Sequence, residues 1–62
     1  MDRDYNELVG LTQTQAVRKL GWWWTCEKEE GNKVVMRHKN TQLTITYADD
    51  IVVDVKKITI ID

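Results

Sequence analysis

The sequence predicts an α+β domain in which one short N-terminal helix packs on a four- to five-stranded antiparallel sheet. Three observations support this class: a helix-capping pattern before an apolar stripe, a change to period-two alternation from residue 22 onward, and short turn-forming segments between the alternating runs. The 62 residues form a single domain. Residues 1–7 are mostly polar, and we expect them to be loose.

The helix is predicted over residues 13–20. Thr12 and Gln15 have the spacing of a capping box, in which a hydroxyl oxygen and an amide oxygen accept hydrogen bonds from backbone N–H groups left open at the helix start. The apolar residues of one helical face follow: Ala16, Val17 and Leu20. Gly21 is expected to end the helix in a left-handed conformation.

The rest of the chain alternates with the period of β-strands. Strands are predicted over residues 22–29, 33–39, 42–47 and 51–57, with 58–61 as a fifth, edge strand. The residues expected to face inward in the last part are Leu43, Ile45, Tyr47, Ile51, Val53 and Val55. After Val55 the apolar positions change from odd to even numbers, which predicts a bulge or a short turn near Lys56 and Lys57.

Three consecutive tryptophans begin the first predicted strand. Alternation places Trp22 and Trp24 on the face under the helix and Trp23 on the opposite, solvated face. Two interpretations of Trp23 are open. It is an anchor for a protein partner, since tryptophan is enriched at interface hot spots, or it packs over Arg37 or Lys39 of the neighbouring strand.

The residue inventory argues against an enzyme. The chain has no serine and a single histidine, so a serine triad is excluded, and both Cys26 and His38 are expected to point into the core. Asp49, Asp50 and Asp54 are the densest acidic group, but the first two occupy a predicted turn in which aspartate is favourable. We therefore expect no catalytic residues, no metal site and no cofactor.

Charge and composition limit the expected partners. Nine basic and ten acidic residues are mixed along the chain, which argues against a nucleic-acid or anionic-membrane binder. No apolar run approaches the roughly 20 residues of a membrane span. The first ten residues lack the basic and apolar regions of a signal peptide, and the single cysteine precludes an intramolecular disulfide. These features predict a cytoplasmic protein.

Three stretches carry a resemblance to a known family. Residues 7–21 combine a Leu-Val-Gly segment with a capped helix, residues 24–32 form a tryptophan-led strand that runs into an acidic, glycine-containing loop, and residues 34–55 form two strands joined by an Asp-Asp turn. Together they resemble the small bacterial peptidase inhibitors related to the potato-inhibitor-I-like fold. In that family a loop after the first strand enters the protease cleft in an extended, substrate-like form.

The resemblance implies an inhibitory loop with Trp23 beside it. The loop residues would be Glu29, Glu30, Gly31, Asn32 and Lys33. Gly31 and Asn32 are also the pair expected to adopt positive φ in the turn between the first two strands.

Three functions follow from these observations. The first is a non-enzymatic inhibitor that binds a protein target, with a peptidase as the target that the resemblance implies. The second is an intracellular or phage-encoded binding protein that disables a host factor other than a protease. The third is a dimeric module that binds a small ligand at its interface, and self-pairing of the edge strand at residues 58–61 would join its two copies.

Overall fold

The computed structural model describes residues 5–61 and confirms the α+β class. A short 3₁₀ turn, Asn6–Leu8, precedes helix α1, Gln13–Leu20. Four antiparallel strands then follow in sequence order, each paired with the next: β1 (Thr25–Glu30), β2 (Lys33–His38), β3 (Thr41–Ala48) and β4 (Ile51–Thr59).

Two predictions concern the ends of the chain. The predicted fifth strand is not found within residues 5–61, because β4 continues through Ile58 and Thr59. Of the segment expected to be loose, residues 1–4 lie outside the described residues, and Tyr5 is half-buried against the core.

Helix α1 begins at the predicted capping box. The Thr12 hydroxyl accepts a hydrogen bond from the Gln15 backbone N–H at 3.2 Å, and the Gln15 side chain accepts one from the Thr12 N–H at 3.1 Å. Ala16 and Leu20 are buried as predicted, whereas Val17 lies at the margin of the buried stripe and is exposed. The apolar face of this two-turn helix is therefore narrower than its sequence suggests.

The C-terminus of α1 differs from the prediction. Gly21 donates a backbone hydrogen bond to Val17 O at 3.0 Å, but its φ of 106° and ψ of 161° lie outside the left-handed helical region. This combination is essentially restricted to glycine. It sends the chain away from the helix in an extended direction, directly into Trp22.

The bulge in β4 lies earlier than predicted. The register on β3 shifts between Val52 and Asp54, so Val53 is the extra residue. Val52 and Val55 consequently face the core, and Val53 is exposed. The prediction of an inward Val53 and of a bulge or short turn near residues 56–57 was wrong, because β4 pairs with β3 without interruption from Asp54 to Thr59. Three consecutive β-branched residues left the parity of this strand ambiguous.

One hydrophobic core fills the space between the helical segments and the inner face of the sheet. Leu43, Ile45 and Tyr47 of β3 are buried as predicted. Leu8 of the 3₁₀ turn is fully buried beside them, a position that the sequence pattern did not single out. The other core residues are Ala16, Leu20, Trp24, Val34, Met36, Val52 and Val55.

The domain has two distinct ends. Thr12, before α1, forms a bridge with Ile51, so the helix begins beside the Asp49–Asp50 turn. The helix ends at the opposite side, where Trp23 contacts His38 at the end of β2. We call the side with the C-terminus of α1, Trp22–Trp24 and the Lys39–Asn40 turn the tryptophan end, and the side with the Gly31–Asn32 and Asp49–Asp50 turns the acidic end.

Candidate functional site: an exposed tryptophan surface

The first strand begins later than predicted, and this separates the three tryptophans. Strand β1 starts at Thr25, so residues 22–24 are a connection between helix and sheet rather than a strand. Trp24 is buried, with its ring edge-on to Tyr5 at 5.6 Å. Trp22 is 90% exposed and Trp23 is 52% exposed. The expected placement of Trp22 under the helix was therefore wrong.

Cys26 was also expected in the core, and it is exposed instead. It pairs with the buried Met36, so it belongs to the inner face of the sheet. The helical segments, however, contact β4 at the opposite edge, and they leave the inner side of β1 uncovered. A bulge at Glu27 further displaces the strand. His38 is half-buried between two indole rings, so Cys26 and His38 do not form a buried pair.

Trp23 is held by two neighbours. Its ring lies over Gly21, so close that a Cβ on that residue would stand 2.5 Å from the indole Cη2. The His38 ring lies on another side, with a centroid distance of 6.5 Å, and His38 itself contacts Trp24 at 5.5 Å. Trp23 thus packs against β2 through His38, not through the predicted Arg37 or Lys39.

Trp22 completes a shallow apolar depression next to Trp23. The two indoles meet edge to face, with centroids 6.1 Å apart and planes 75° apart. The depression has a volume of about 400 Å³. Its lining residues, which we call the tryptophan surface, are Val17, Arg18, Lys19, Gly21, Trp22 and Trp23. Residues of the helix C-terminus therefore line this depression together with the two indoles.

Within residues 5–61, opposite charges predominate at the two ends of the domain. Arg18 and Lys19, in the last turn of α1, border the tryptophans, and Lys39 lies in the turn at the same end. The acidic end carries one cation, Lys33, and four carboxylates, which belong to Glu29, Glu30, Asp49 and Asp50. A net charge of −1 therefore coexists with a basic tryptophan end.

The five predicted loop residues form a tight hairpin. Glu29 and Glu30 end β1, and Lys33 begins β2, so the turn consists of Gly31 and Asn32 alone. Of these two, Gly31 adopts the positive φ, 59°. All five are exposed.

Hydrogen bonds fasten this turn to β3. The Asn32 side-chain amide donates to Tyr47 O at 3.0 Å, and the Tyr47 N–H donates to Asn32 O at 2.8 Å. The turn is therefore a rigid projection at the acidic end.

The structure does not bring Trp23 and this turn together. They lie at opposite ends of β1, whose six residues span about 20 Å at roughly 3.3 Å per residue. Trp23 and the turn therefore do not form one contiguous cluster of residues.

The open face of the sheet carries a second depression, of about 510 Å³, between Lys28, Lys33 and Val35. Lys28 Nζ lies 2.9 Å from a Glu30 carboxylate oxygen, and both side chains are largely exposed. An exposed pair of this kind contributes little to stability. The mixed charges indicate an ordinary solvated sheet face.

Within residues 5–61, no group of three histidine, cysteine or acidic side chains is placed to hold a metal ion. In the same part of the chain, no helix has the length and apolar character needed to cross a bilayer.

Tyr47 is expected to make the domain less stable at alkaline pH. Burial raises the pKa of its hydroxyl above the usual 10.0, and the negative charges of Asp50, Cys26 and Glu29 raise it further. Above pH 10 the unfolded chain then binds fewer protons than the folded one, so the free energy of unfolding falls as the pH rises. Urea midpoints measured from about pH 8 to 11 should fall less steeply for Tyr47→Phe than for the wild type.

Tyr5→Phe is the control for this prediction, since it removes a hydroxyl from a ring outside that acidic group. If Tyr47→Phe loses stability with pH as steeply as the wild type, burial of the Tyr47 hydroxyl is not the cause of the alkaline destabilisation.

The sequence pattern predicted an exposed Trp23 but not the residues that surround it. The signal that could have indicated the surface is Gly21, because a glycine between a helix and three tryptophans interrupts both periodicities. With the chain redirected there, Arg18 and Lys19 of the last helical turn necessarily lie beside the indoles.

Comparison with known proteins adds no relative to this description. No family model matches the chain, no curated protein is significantly similar to it, and no solved structure shares its fold at a significant level. The similarity to small peptidase inhibitors therefore stays a prediction from the sequence, and the tryptophan surface is the feature from which a function is argued.

Proposed function

We propose that this chain is a small non-enzymatic binding protein that engages a protein target through the tryptophan surface. The observation that carries the proposal is the exposure of Trp22 and Trp23 side by side. A domain of this size has roughly 3–9 kcal/mol of stability in total. Two of its three tryptophans lie outside the core, so the domain lacks the stabilisation that their burial would give. A partner that covers these side chains would bury them and gain that stabilisation on binding.

The surface has the properties of an interface anchor. Tryptophan provides a large contact area with only two rotatable side-chain bonds, so little conformational entropy is lost on binding. Trp23 is also held in place by Gly21 and His38, which reduces that loss further. Six residues make up only part of an interface of standard size, so Trp22 and Trp23 would be the hot spot at its centre.

The test is affinity capture from a host lysate, followed by binding measurements with the purified target. Trp22→Ala and Trp23→Ala should each weaken binding by at least about 2 kcal/mol, the range of interface hot spots. Val53→Ala, which truncates a half-exposed apolar residue outside the tryptophan surface, is the matched control and should bind like the wild type. Melting temperatures of all variants establish that they remain folded.

The proposal would be overturned by a target that binds both tryptophan variants and the wild type equally well. It would also be overturned if no protein is captured specifically by the wild type. The class of target is open in this proposal, and a peptidase and another host factor are both compatible with it.

A second candidate function rests on the rigid turn at the acidic end. The paired hydrogen bonds between Asn32 and Tyr47 preorganise Gly31 and Asn32, and a preordered projection suits insertion into a peptidase cleft. Inhibition of peptidases from a serine-protease panel should then be weakened by Asn32→Ala and unaffected by Trp23→Ala. An absence of inhibition across the panel, or inhibition that depends on Trp23 alone, would exclude this use of the turn.

A further inference from the structure

We propose that the tryptophan surface recognises an acidic protein segment that carries a large apolar side chain. This inference rests on the proposed function and adds the chemistry of the partner. It is argued from the two kinds of residue that line the depression, apolar and cationic.

The apolar part of the surface can receive one large side chain. Val17 is 42% exposed, and together with Trp22 and Trp23 it surrounds an opening above Gly21. A volume of about 400 Å³ lies at the lower end of the range of ligand pockets, about 300–1,000 Å³. Its open shape suits a side chain that projects from a partner's backbone.

The cationic part is available to a partner. Arg18 and Lys19 are both exposed, and among the residues that the structure describes neither takes part in an ion pair. Arg37, in contrast, lies 4.0 Å from Glu27. If a partner places an apolar side chain against the indoles, a carboxylate next to that side chain could form ion pairs with Arg18 and Lys19 at the rim of the depression.

The negative end of the α1 dipole offsets only part of the positive charge of Arg18 and Lys19. Cations in the last turn of a helix offset the partial negative charge of its C-terminus, equivalent to about half an elementary charge. Two cations exceed this, and Lys39 adds a third at the same end. The carboxylates of the acidic end are about 20 Å away along β1. Since this exceeds the Debye length of about 8 Å at physiological salt, they do not cancel the positive potential at the tryptophans.

A protein segment fits these features better than a nucleic acid. Nucleic-acid binding requires a groove of cations that follows successive phosphates. Here the cations beside the depression form a local cluster, and the sheet that extends away from them carries mixed charges, including the Lys28–Glu30 pair. A short acidic segment requires only a local cluster.

The experiment is a selection from a random dodecapeptide display library on immobilised wild-type protein, with counter-selection on the folded Trp22→Ala/Trp23→Ala variant. Enriched peptides should share a net negative charge and an aromatic or large aliphatic residue. A synthetic peptide from the selection should bind Arg18→Glu/Lys19→Glu about tenfold more weakly than the wild type. Its affinity for the wild type should also fall when salt rises from about 0.05 to 0.5 M.

The outcomes separate this inference from the proposed function. Tryptophan-dependent peptides that are neutral or basic overturn the acidic partner and leave the binding role of the surface intact. Selection of no tryptophan-dependent peptide counts against both. Tryptophan-dependent binding of an oligothymidine strand identifies a nucleic-acid surface, and tryptophan-dependent dimerisation of the free protein identifies a second copy as the occupant. Either result overturns the inference.

Discussion

Replacing Leu8 with alanine is expected to lower the free energy of unfolding by about 2–5 kcal/mol, the range for truncating a buried leucine. Leu8 is fully buried, although it belongs to a 3₁₀ turn of only three residues. A loss of this size approaches the roughly 3–9 kcal/mol of total stability that a 62-residue domain has. The variant should therefore be partly or fully unfolded at room temperature, as measured by urea denaturation and circular dichroism.

Val9→Ala is the matched control for this prediction. Val9 is the next residue in the chain, yet it is exposed, so its truncation should change stability by less than about 1 kcal/mol. If Leu8→Ala and Val9→Ala both change stability only slightly, the 3₁₀ turn does not contribute to the stability of the core.

Replacing Gly21 with alanine is expected to have the second-largest effect, because two penalties combine at this residue. A φ of 106° with a ψ of 161° costs a residue with a side chain about 1–3 kcal/mol. The new Cβ would also lie 2.5 Å from the Trp23 ring, so the indole must move away from its position. The variant should lose stability in urea denaturation and, if the proposed function is correct, should bind the target more weakly.

Two comparisons separate these penalties. Gly10→Ala introduces a Cβ at a φ of 94° into open space, so it reports the backbone penalty without a collision. In a Trp23→Ala background the collision is absent, and Gly21→Ala should then destabilise the domain less than it does in the wild type. An equal loss in both backgrounds would mean that the Trp23 ring does not rest on Gly21.

The helix and the central strands were predictable because each has a local signal. The capping box of Thr12 and Gln15 requires only residues three positions apart, and the structure contains both of its hydrogen bonds. The alternation of Leu43, Ile45 and Tyr47 is unambiguous because polar residues occupy every intervening position. Local chemistry is sufficient where only one periodicity fits.

The errors occur where two periodicities fit equally well. Tryptophan side chains suit a strand or a buried connection, so residues 22–24 gave no indication that β1 begins at Thr25. In β4, either Val52 or Val53 could have faced the core. In the structure Val52 does, and its backbone forms hydrogen bonds of 2.8 Å with the backbone of Gly10 and of Leu11. Both outcomes depend on contacts between segments distant in sequence.

The sequence by itself determined the α+β class, the helix at residues 13–20, the inward face of β3 and the presence of an exposed tryptophan at position 23. Only the tertiary structure decided which tryptophans are exposed and what surrounds them. Helix α1 covers the β4 side of the sheet, the extended conformation of Gly21 redirects the chain, and His38 of β2 contacts Trp23. These contacts place Trp22 and Trp23 beside Arg18 and Lys19. A one-dimensional pattern specifies which face a residue prefers, but not which neighbour covers that face.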